Sequence, residues 1–208
     1  MNMRFTQWTF ALIMLVGCAG CTTVPPKQES PATVIPAAQR QKTLAAFNDF
    51  TAKGKVGFIH HKTGGSASID WQQKGTQYAI RLYGPLGSES VSIHGGPKQI
   101  TLTGSNGRRV SATSPEMLIL QELGYEIPVY GLQYWLKGIP APLKLTHAPR
   151  LDAQGRLLRL EQNGWVIHYI AYKNYGDLSV PHKIELEHFT QKHPHSAKLK
   201  FVFQQWLF

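Results

Sequence analysis

Short segments in which apolar and polar residues alternate dominate the chain. An alternation with a period of two predicts β-strands with one apolar face, and glycine-bearing turns separate the segments. Between residues 54 and 112, six such segments predict an antiparallel meander with one buried face. Their apolar positions are Gly54, Val56 and Phe58; Ala67, Ile69 and Trp71; Tyr78, Ile80 and Leu82; Val91 and Ile93; Ile100 and Leu102; Val110 and Ala112.

Three segments depart from this alternation and predict short helices. The first covers residues 37–50, where apolar residues recur at every third position up to Phe50. The second begins at the Ser-Pro-Glu sequence of residues 114–116, in which the serine can cap the helix and proline suits the first turn, and it stops before Gly124. The third covers residues 130–137.

Strand patterns resume in the last third of the chain. They cover residues 143–146, 156–162, 165–172, 182–188 and 198–205. Residues 165–172 are apolar at both alternating positions, which predicts a strand that is covered on both faces. The total is roughly eleven strands, enough for the sheet to curl into a barrel or half-barrel.

One predicted turn carries a leucine. Residues 84–88 read Gly-Pro-Leu-Gly-Ser between two strands, and glycine and proline are typical of turns. Leu86 has little chance of folding back onto the sheet, and burying it elsewhere is worth about 1.5–3 kcal/mol. It is either a single exposed leucine, which is common on surfaces, or a contact with an apolar phase.

The N-terminus has the pattern of an export signal. Residues 1–17 carry one charge followed by an apolar run too short to span a bilayer. The run ends in Leu15-Val16-Gly17-Cys18, which resembles the bacterial lipobox and predicts lipidation of Cys18. Cys21 is the weaker candidate, and an ordinary cleaved signal is the alternative. Ala19 after the cysteine favours the outer membrane in lipoprotein sorting.

The predicted organisation is a signal peptide, a tether and one domain. Residues 18–36 contain four prolines among polar residues, as in a semi-extended tether. Residues 37–208 form the predicted single domain. Both cysteines precede that domain, so it is not built around disulfides.

A set of short motifs in a fixed order resembles the outer-membrane lipoprotein receptor family LolB. No single motif is specific, but the set extends over nearly the whole mature chain. Three departures are Gly84, where the family loop has asparagine, a longer last hairpin at residues 190–196, and the apolar C-terminus. The motifs are the lipobox, Pro85-Leu86-Gly87-Ser88 after a strand, Ile127-Pro128, Leu132, Trp135-Leu136, Gly138 and Pro140.

The resemblance implies a fold and a task. The implied fold is mainly β: an unclosed antiparallel β-barrel of roughly eleven strands, with short helices as a lid over a hydrophobic cavity. The implied task is to accept acylated lipoproteins from a LolA-like periplasmic carrier and insert them into the outer membrane. The leucine that the family uses for membrane insertion matches Leu86. No cofactor or metal is implied, and a monomer that faces the periplasm is expected.

Such a task requires an apolar cavity. Exposing an acyl chain of sixteen carbons to water costs on the order of 12 kcal/mol, so a receptor must offer apolar lining. An ordinary closed core would use the same side chains, and the sequence does not separate the two. The candidate lining residues are Val56, Phe58, Ile69, Trp71, Tyr78, Ile80, Leu82, Val91, Ile93, Trp135, Leu136, Trp165, Ile167, Leu199 and Phe201.

Charge and motifs narrow the function further. The chain has 22 Lys+Arg against 12 Asp+Glu, which indicates either a solvated basic surface or a docking face for an acidic carrier or anionic lipid. There is no phosphate-binding loop, nucleophile elbow or His-Glu-x-x-His helix. The histidines at 60, 61, 193 and 195 lack metal-ligand spacing, and no nucleic-acid-binding pattern is present.

Three other functions fit parts of the sequence. A soluble carrier of similar fold would not have the lipobox at Cys18. A scaffold lipoprotein of an envelope assembly complex would have a filled core and a flat binding face. A hydrolase would need a catalytic constellation that the motifs do not supply.

Overall fold

Eleven strands form one antiparallel sheet in the computed structural model, which describes residues 36–60, 63–85, 90–124, 127–188 and 197–208. The strands are β1 Asp49–His60, β2 Thr63–Lys74, β3 Gln77–Tyr83, β4 Val91–Gly95, β5 Ile100–Thr103, β6 Arg109–Ala112, β7 Arg150–Leu151, β8 Leu157–Gln162, β9 Trp165–Tyr175, β10 Leu178–His188 and β11 Ala197–Leu207. The helices are α1 Ala37–Ala46, α2 Pro115–Leu123 and α3 Val129–Trp135.

The sheet is open, with β6 at one edge and β7 at the other. Its order is β6-β5-β4-β3-β2-β1-β11-β10-β9-β8-β7, so the first and last strands of the chain are neighbours in the middle. Val56 of β1, for example, pairs with Phe201 of β11 on one side and Ala67 of β2 on the other. The predicted mainly β fold, an unclosed antiparallel sheet with short helices, is therefore confirmed.

The period-two pattern of the sequence assigns each side chain to one face of the sheet. Ala52, Val56, Ile69 and Trp71 are buried in the core that the inner face forms with the helices. The outer face carries charged pairs, such as Lys53 with Asp70 at 3.4 Å. Exposed pairs of this kind add little stability, so burial of the inner face holds the fold together.

A bulge in β1 depends on a glycine. The register between β1 and β11 shifts between Lys53 and Gly54. A Cβ atom at Gly54 would lie 2.3 Å from the carbonyl oxygen of Val202, closer than any real contact. The bulge therefore requires glycine at this position.

Helix α2 begins and ends as the sequence predicts. The Ser114 hydroxyl accepts a hydrogen bond of 3.3 Å from the backbone N–H of Met117, and proline occupies the first turn. Gly124 ends the helix with a φ of 79°, and its N–H donates to the carbonyl of Leu120.

The first predicted helix is too long. Helix α1 ends at Ala46, and Phe50 belongs to β1, where it pairs with Gln73 of β2. Pairing with β2 already starts at Asp49, and this long-range ladder overrides the local helical spacing.

One predicted strand is replaced by another. In residues 143–146, only Leu145 forms an isolated bridge, to Gln162 of β8. The amide of Gln162 binds the carbonyls of Ala141 and Leu143, so the side chain takes the place of a ladder there. Instead, β7 at Arg150–Leu151 forms the edge of the sheet, and no sequence pattern predicted it.

Strand β9 has only one well-buried face. Trp165, Ile167 and Tyr169 are buried, but Ile170 on the other face is 52% exposed. The prediction of cover on both faces is wrong, because Ile170 lies largely in solvent.

No helix among the described residues combines the length and apolarity needed to cross a membrane.

Candidate functional site

Helix α3 and the inner face of the sheet enclose a small apolar cavity. Strands β1, β2, β3, β4 and β11 supply one side of it, and α3 with the residue two before it supplies the other. The described lining residues are Val56, Phe58, Ala67, Ile69, Trp71, Ile80, Leu82, Ile93, Ile127, Val129, Leu132, Leu199 and Phe201.

The sequence of α3 directs two apolar side chains at the cavity. Val129 and Leu132 are three residues apart, so they lie on one face of the helix, and both are buried. Gly131 lies between them, and a Cβ atom there would come within 2.6 Å of the Trp135 ring. The glycine thus lets Trp135 pack against its own helix.

A buried glutamine fixes the far end of α3. The side-chain oxygen of Gln162 accepts hydrogen bonds from the Trp135 indole N–H at 2.9 Å and the Ala141 N–H at 3.0 Å. Its amide nitrogen donates to the carbonyls of Ala141 at 3.0 Å and Leu143 at 2.9 Å. All four bonds that the amide can make are made, which is the requirement for burying it completely.

None of the described residues that line the cavity is charged. Among the side chains of the described lining residues, the one polar group is the Trp71 indole N–H, which donates over 3.0 Å to the buried side chain of Gln73. Gln73 does not line the cavity, so this hydrogen bond turns the polar edge of the indole away from it. The arrangement suits an alkyl group and offers nothing to a polar ligand.

The cavity is small in this conformation. Its volume is about 60 Å³, against roughly 300–1,000 Å³ for typical small-molecule sites. A whole acyl chain does not fit into this volume. The apolar surface that such a chain requires is present, but the space between the described residues is too small for the chain.

The structure brings together nine of the fifteen residues proposed from the sequence as cavity lining. These are Val56, Phe58, Ile69, Trp71, Ile80, Leu82, Ile93, Leu199 and Phe201. Sequence reasoning missed Ala67, Ile127, Val129 and Leu132. The sequence contained a signal for three of these four residues. Ala67 shares the inward alternation of Ile69, and Val129 and Leu132 have the spacing of one helix face.

Four of the other six residues belong to the solid core. Trp135 and Leu136 are completely buried, and Trp135 contacts Gln162 rather than the cavity. Trp165 stacks on His188 with ring centroids 4.7 Å apart, and Ile167 on the same strand is completely buried. All four belong to the packed core on the inner face of β8, β9 and β10.

The last two residues lie near the edge of the cavity region. Tyr78 lines a separate polar cleft at the start of β3, where burial raises the pKa of its hydroxyl to about 12 and the negative charge of Glu116 adds to the effect. Val91 is half-buried against the core. Neither lines the apolar cavity in the part of the chain that the structure describes.

Two predicted functional positions lie outside the described residues. They are Cys18, the predicted lipidation site, and Leu86, the predicted membrane contact. His61, His193 and His195 also lie outside them.

Comparison with known families decides what kind of protein carries this cavity. The model of the family described as "Outer membrane lipoprotein LolB" matches residues 48–206, which include α2, α3, all the described cavity residues and all the strands except the last residue of β11. The chain belongs to the LolB family. The resemblance noted in the sequence is confirmed.

LolB relatives match the chain over almost its full length. It is 34% identical to the outer-membrane lipoprotein LolB of Nitrosococcus oceani, over 98% of this chain and 98% of that protein. It is also 34% identical to the LolB of Pseudomonas syringae pv. syringae, over 95% of this chain and 93% of the relative. LolB similarity thus covers the residues before β1 as well as the sheet.

The fold also occurs in a distant solved structure. A DUF1329 family protein from Desulfovibrio piger matches with a TM-score of 0.50 over 83% of this chain and 90% of its own. The two sequences are only 6% identical, so this likeness concerns the fold alone.

Proposed function

We propose that this protein is an outer-membrane lipoprotein receptor. It takes acylated lipoproteins from a LolA-like periplasmic carrier, shelters their acyl chains in the apolar cavity and delivers them to the outer membrane. The observation that carries the proposal is a cavity whose described lining is wholly apolar in a chain of the LolB family. No covalent chemistry is part of this task, because transfer between two apolar environments needs none.

The energetics of the cargo explain why an apolar cavity is needed. An acyl chain of sixteen carbons in water costs on the order of 12 kcal/mol, at about 0.8 kcal/mol per methylene. Each chain must therefore pass directly from one apolar environment to the next. A cavity lined by aliphatic and aromatic side chains supplies an apolar environment between the carrier and the membrane.

Uptake of an acyl chain requires the cavity to widen. The cavity holds about 60 Å³ in this conformation, so one wall must move. Gln162 holds the C-terminal end of α3 through Trp135, whereas Val129 and Leu132 contribute only apolar contacts. We assign the movement to the N-terminal part of α3, together with Ile127, because one hydrogen bond of 3.3 Å, from the Tyr130 N–H to Glu116, is the described side-chain bond that holds this part of the helix.

Anchoring and delivery complete the proposal. Lipidation at Cys18 attaches the protein to the outer membrane, and residues 18–36 tether the domain on the periplasmic side. Leu86 enters the lipid and opens a route for the cargo. The sequence of the turn, with a leucine between proline and glycine, supports this role.

The test replaces a small residue that lines the cavity with a larger one, so that the new side chain fills the cavity. Ala67 lines the cavity, and Ala67→Leu adds more volume than the closed cavity contains. The matched control is Ala79→Leu, at a half-buried alanine of β3 that pairs with outward-facing Gln72. Each full-length variant is reconstituted in lipid vesicles, and a soluble carrier loaded with acylated lipoprotein is added.

Ala67→Leu should lower the transfer of cargo to vesicles at least about tenfold, as expected when roughly 1.4 kcal/mol of acyl-chain burial is lost. Ala79→Leu should transfer cargo like the unmodified protein. Equal transfer by both variants would show that the cavity does not hold the acyl chain.

A scaffold lipoprotein of an envelope complex is the second candidate. The small volume of the cavity favours it, because a scaffold needs a filled core. The same vesicle assay separates the two, since a scaffold would not remove acylated cargo from the carrier in any form.

A further inference from the structure

A second cleft, separate from the apolar cavity, lies at the opposite end of β3 from residues 84–88. It occupies about 680 Å³ between the start of β3, the first turn of α2 and helix α3, and we call it the Lys137 cleft. It shares no described lining residue with the apolar cavity. Its lining combines apolar surface with polar side chains, which include Asn48, Gln73, Thr113, Glu116, Gln133 and Lys137.

Lys137 is a buried cation without an acidic partner among the described residues. Its side chain is only 2% exposed, and its ammonium group donates a hydrogen bond of 2.8 Å to the carbonyl of Phe47. The ammonium also lies 5.6 Å from the ring centroid of Tyr134 and 6.0 Å from that of Phe50. Buried charges are usually paired, and two of the three N–H donors of this one remain for a ligand.

Glu116 supplies the opposite charge in the same cleft. One of its carboxylate oxygens accepts a hydrogen bond of 3.3 Å from the backbone N–H of Tyr130. The other oxygen has no hydrogen bond or ion pair to any residue that the structure describes. The carboxylate can therefore still bind a cationic group.

A third polar group of the cleft also lacks a partner. The hydroxyl of Tyr78 is buried and makes no hydrogen bond within the described part of the chain. A buried hydroxyl in that state is destabilising. Three groups with unused hydrogen-bonding capacity therefore meet at one cleft of the size that small-molecule sites have.

We propose that the Lys137 cleft binds a small zwitterion. Its carboxylate or phosphate contacts the ammonium of Lys137, and its own ammonium contacts the carboxylate of Glu116. Amino acids or short peptides have this chemistry, and so does the phosphoethanolamine headgroup of a phospholipid. The proposal is independent of acyl-chain transfer, because the two sites have no described residue in common.

The test titrates the full-length protein, in a nonionic detergent, with two zwitterions and two simple anions. Glycylglycine represents free amino compounds, and glycerophosphoethanolamine represents the lipid headgroup. Acetate and inorganic phosphate have the anion but no ammonium. The readout is the NMR signal of the ¹³C-labelled Lys137 side chain, since burial lowers the pKa of this ammonium to about 8 and a bound anion should raise it.

Three variants identify the contacts. Lys137→Met should weaken zwitterion binding, measured by calorimetry, at least about tenfold, as for loss of a charged hydrogen bond. Lys74→Met, at an exposed lysine near the same end of β3, should leave binding unchanged. Glu116→Gln should abolish the preference for zwitterions over the simple anions.

Binding of either zwitterion with these variant effects supports the proposal, and the one that binds identifies the source. The proposal is overturned if neither zwitterion changes the Lys137 signal, or if folded Lys137→Met binds as tightly as the unmodified protein. If Lys137→Met does not fold, Glu116→Gln decides, and an unchanged preference for zwitterions in that variant overturns the proposal.

Discussion

The indole N–H of Trp135 donates a 2.9 Å hydrogen bond to the side-chain oxygen of Gln162, and both side chains are completely buried. This bond joins the end of α3 to the end of β8. Because α3 also carries Val129 and Leu132 to the cavity, the Trp135–Gln162 pair holds the C-terminal end of one cavity wall to the sheet. A polar contact in the core thereby determines the geometry of an apolar site.

Removing the amide of Gln162 should destabilise the fold severely. Gln162→Leu leaves the indole of Trp135 and the backbone groups of Ala141 and Leu143 without partners. Each unpaired buried group costs about 1–3 kcal/mol, so we expect a loss of at least about 3 kcal/mol in the free energy of unfolding. Urea denaturation measures it. Gln72→Leu, at an exposed strand position, should change stability by less than about 0.5 kcal/mol.

A charge at Leu86 should impair delivery but not uptake. Leu86→Glu removes an apolar contact worth about 1.5–3 kcal/mol, so we expect incorporation of cargo into vesicles to slow by at least about tenfold. Removal of cargo from the carrier should continue, because the apolar cavity does not include this turn among its described residues. Both steps can be followed with fluorescent cargo.

Ser88→Glu is the matched control for Leu86→Glu, since it adds the same charge to the same turn and keeps the leucine. Normal delivery by Ser88→Glu and slow delivery by Leu86→Glu are expected. Normal delivery by Leu86→Glu would remove Leu86 from the mechanism.

Stability should rise with pH above 8 because of Lys137. Burial lowers the pKa of its ammonium to about 8, so between pH 8 and 10 the unfolded chain binds more protons than the folded one. Deprotonation then relieves the cost of the buried charge, and we expect the free energy of unfolding to gain about 2 kcal/mol from this residue over that range. Above pH 10 the buried Tyr78, with a pKa of about 12, contributes in the opposite direction.

Urea denaturation at pH 7.5, 9 and 10 tests this sign. Lys137→Met should lack the gain between pH 8 and 10, and Lys74→Met should keep it. An identical pH profile for Lys137→Met and the unmodified protein would mean that Lys137 does not titrate in this range.

Docking of the carrier should depend on salt. The chain has a formal net charge of +10, and an acidic carrier would be attracted to it over distances of about 10 Å at 0.1 M salt. We expect the association rate, measured by stopped-flow fluorescence, to fall about tenfold between 0.05 and 0.5 M sodium chloride. A rate that does not change with salt would indicate that this charge is only a solvated surface.

The sequence by itself determined the elements that depend on local patterns. Alternation assigned Val56, Ile69 and Ile80 to the inner face because side chains point to opposite sides of a strand at successive residues. The Ser114 cap and Gly124 bounded α2 for equally local reasons. The order of motifs was enough to indicate the LolB family.

Only the tertiary structure decided which part of the inner face is hollow. Trp135 and Ile167 have the same apolar character as Trp71 and Ile80, but the first pair lies in the solid core and the second lines the cavity. Alternation along a strand shows on which face of the sheet a side chain lies, but it does not show what packs against that side chain. That depends on where α3 meets the sheet, and the meeting point is fixed by Gln162 through contacts between residues far apart in the chain.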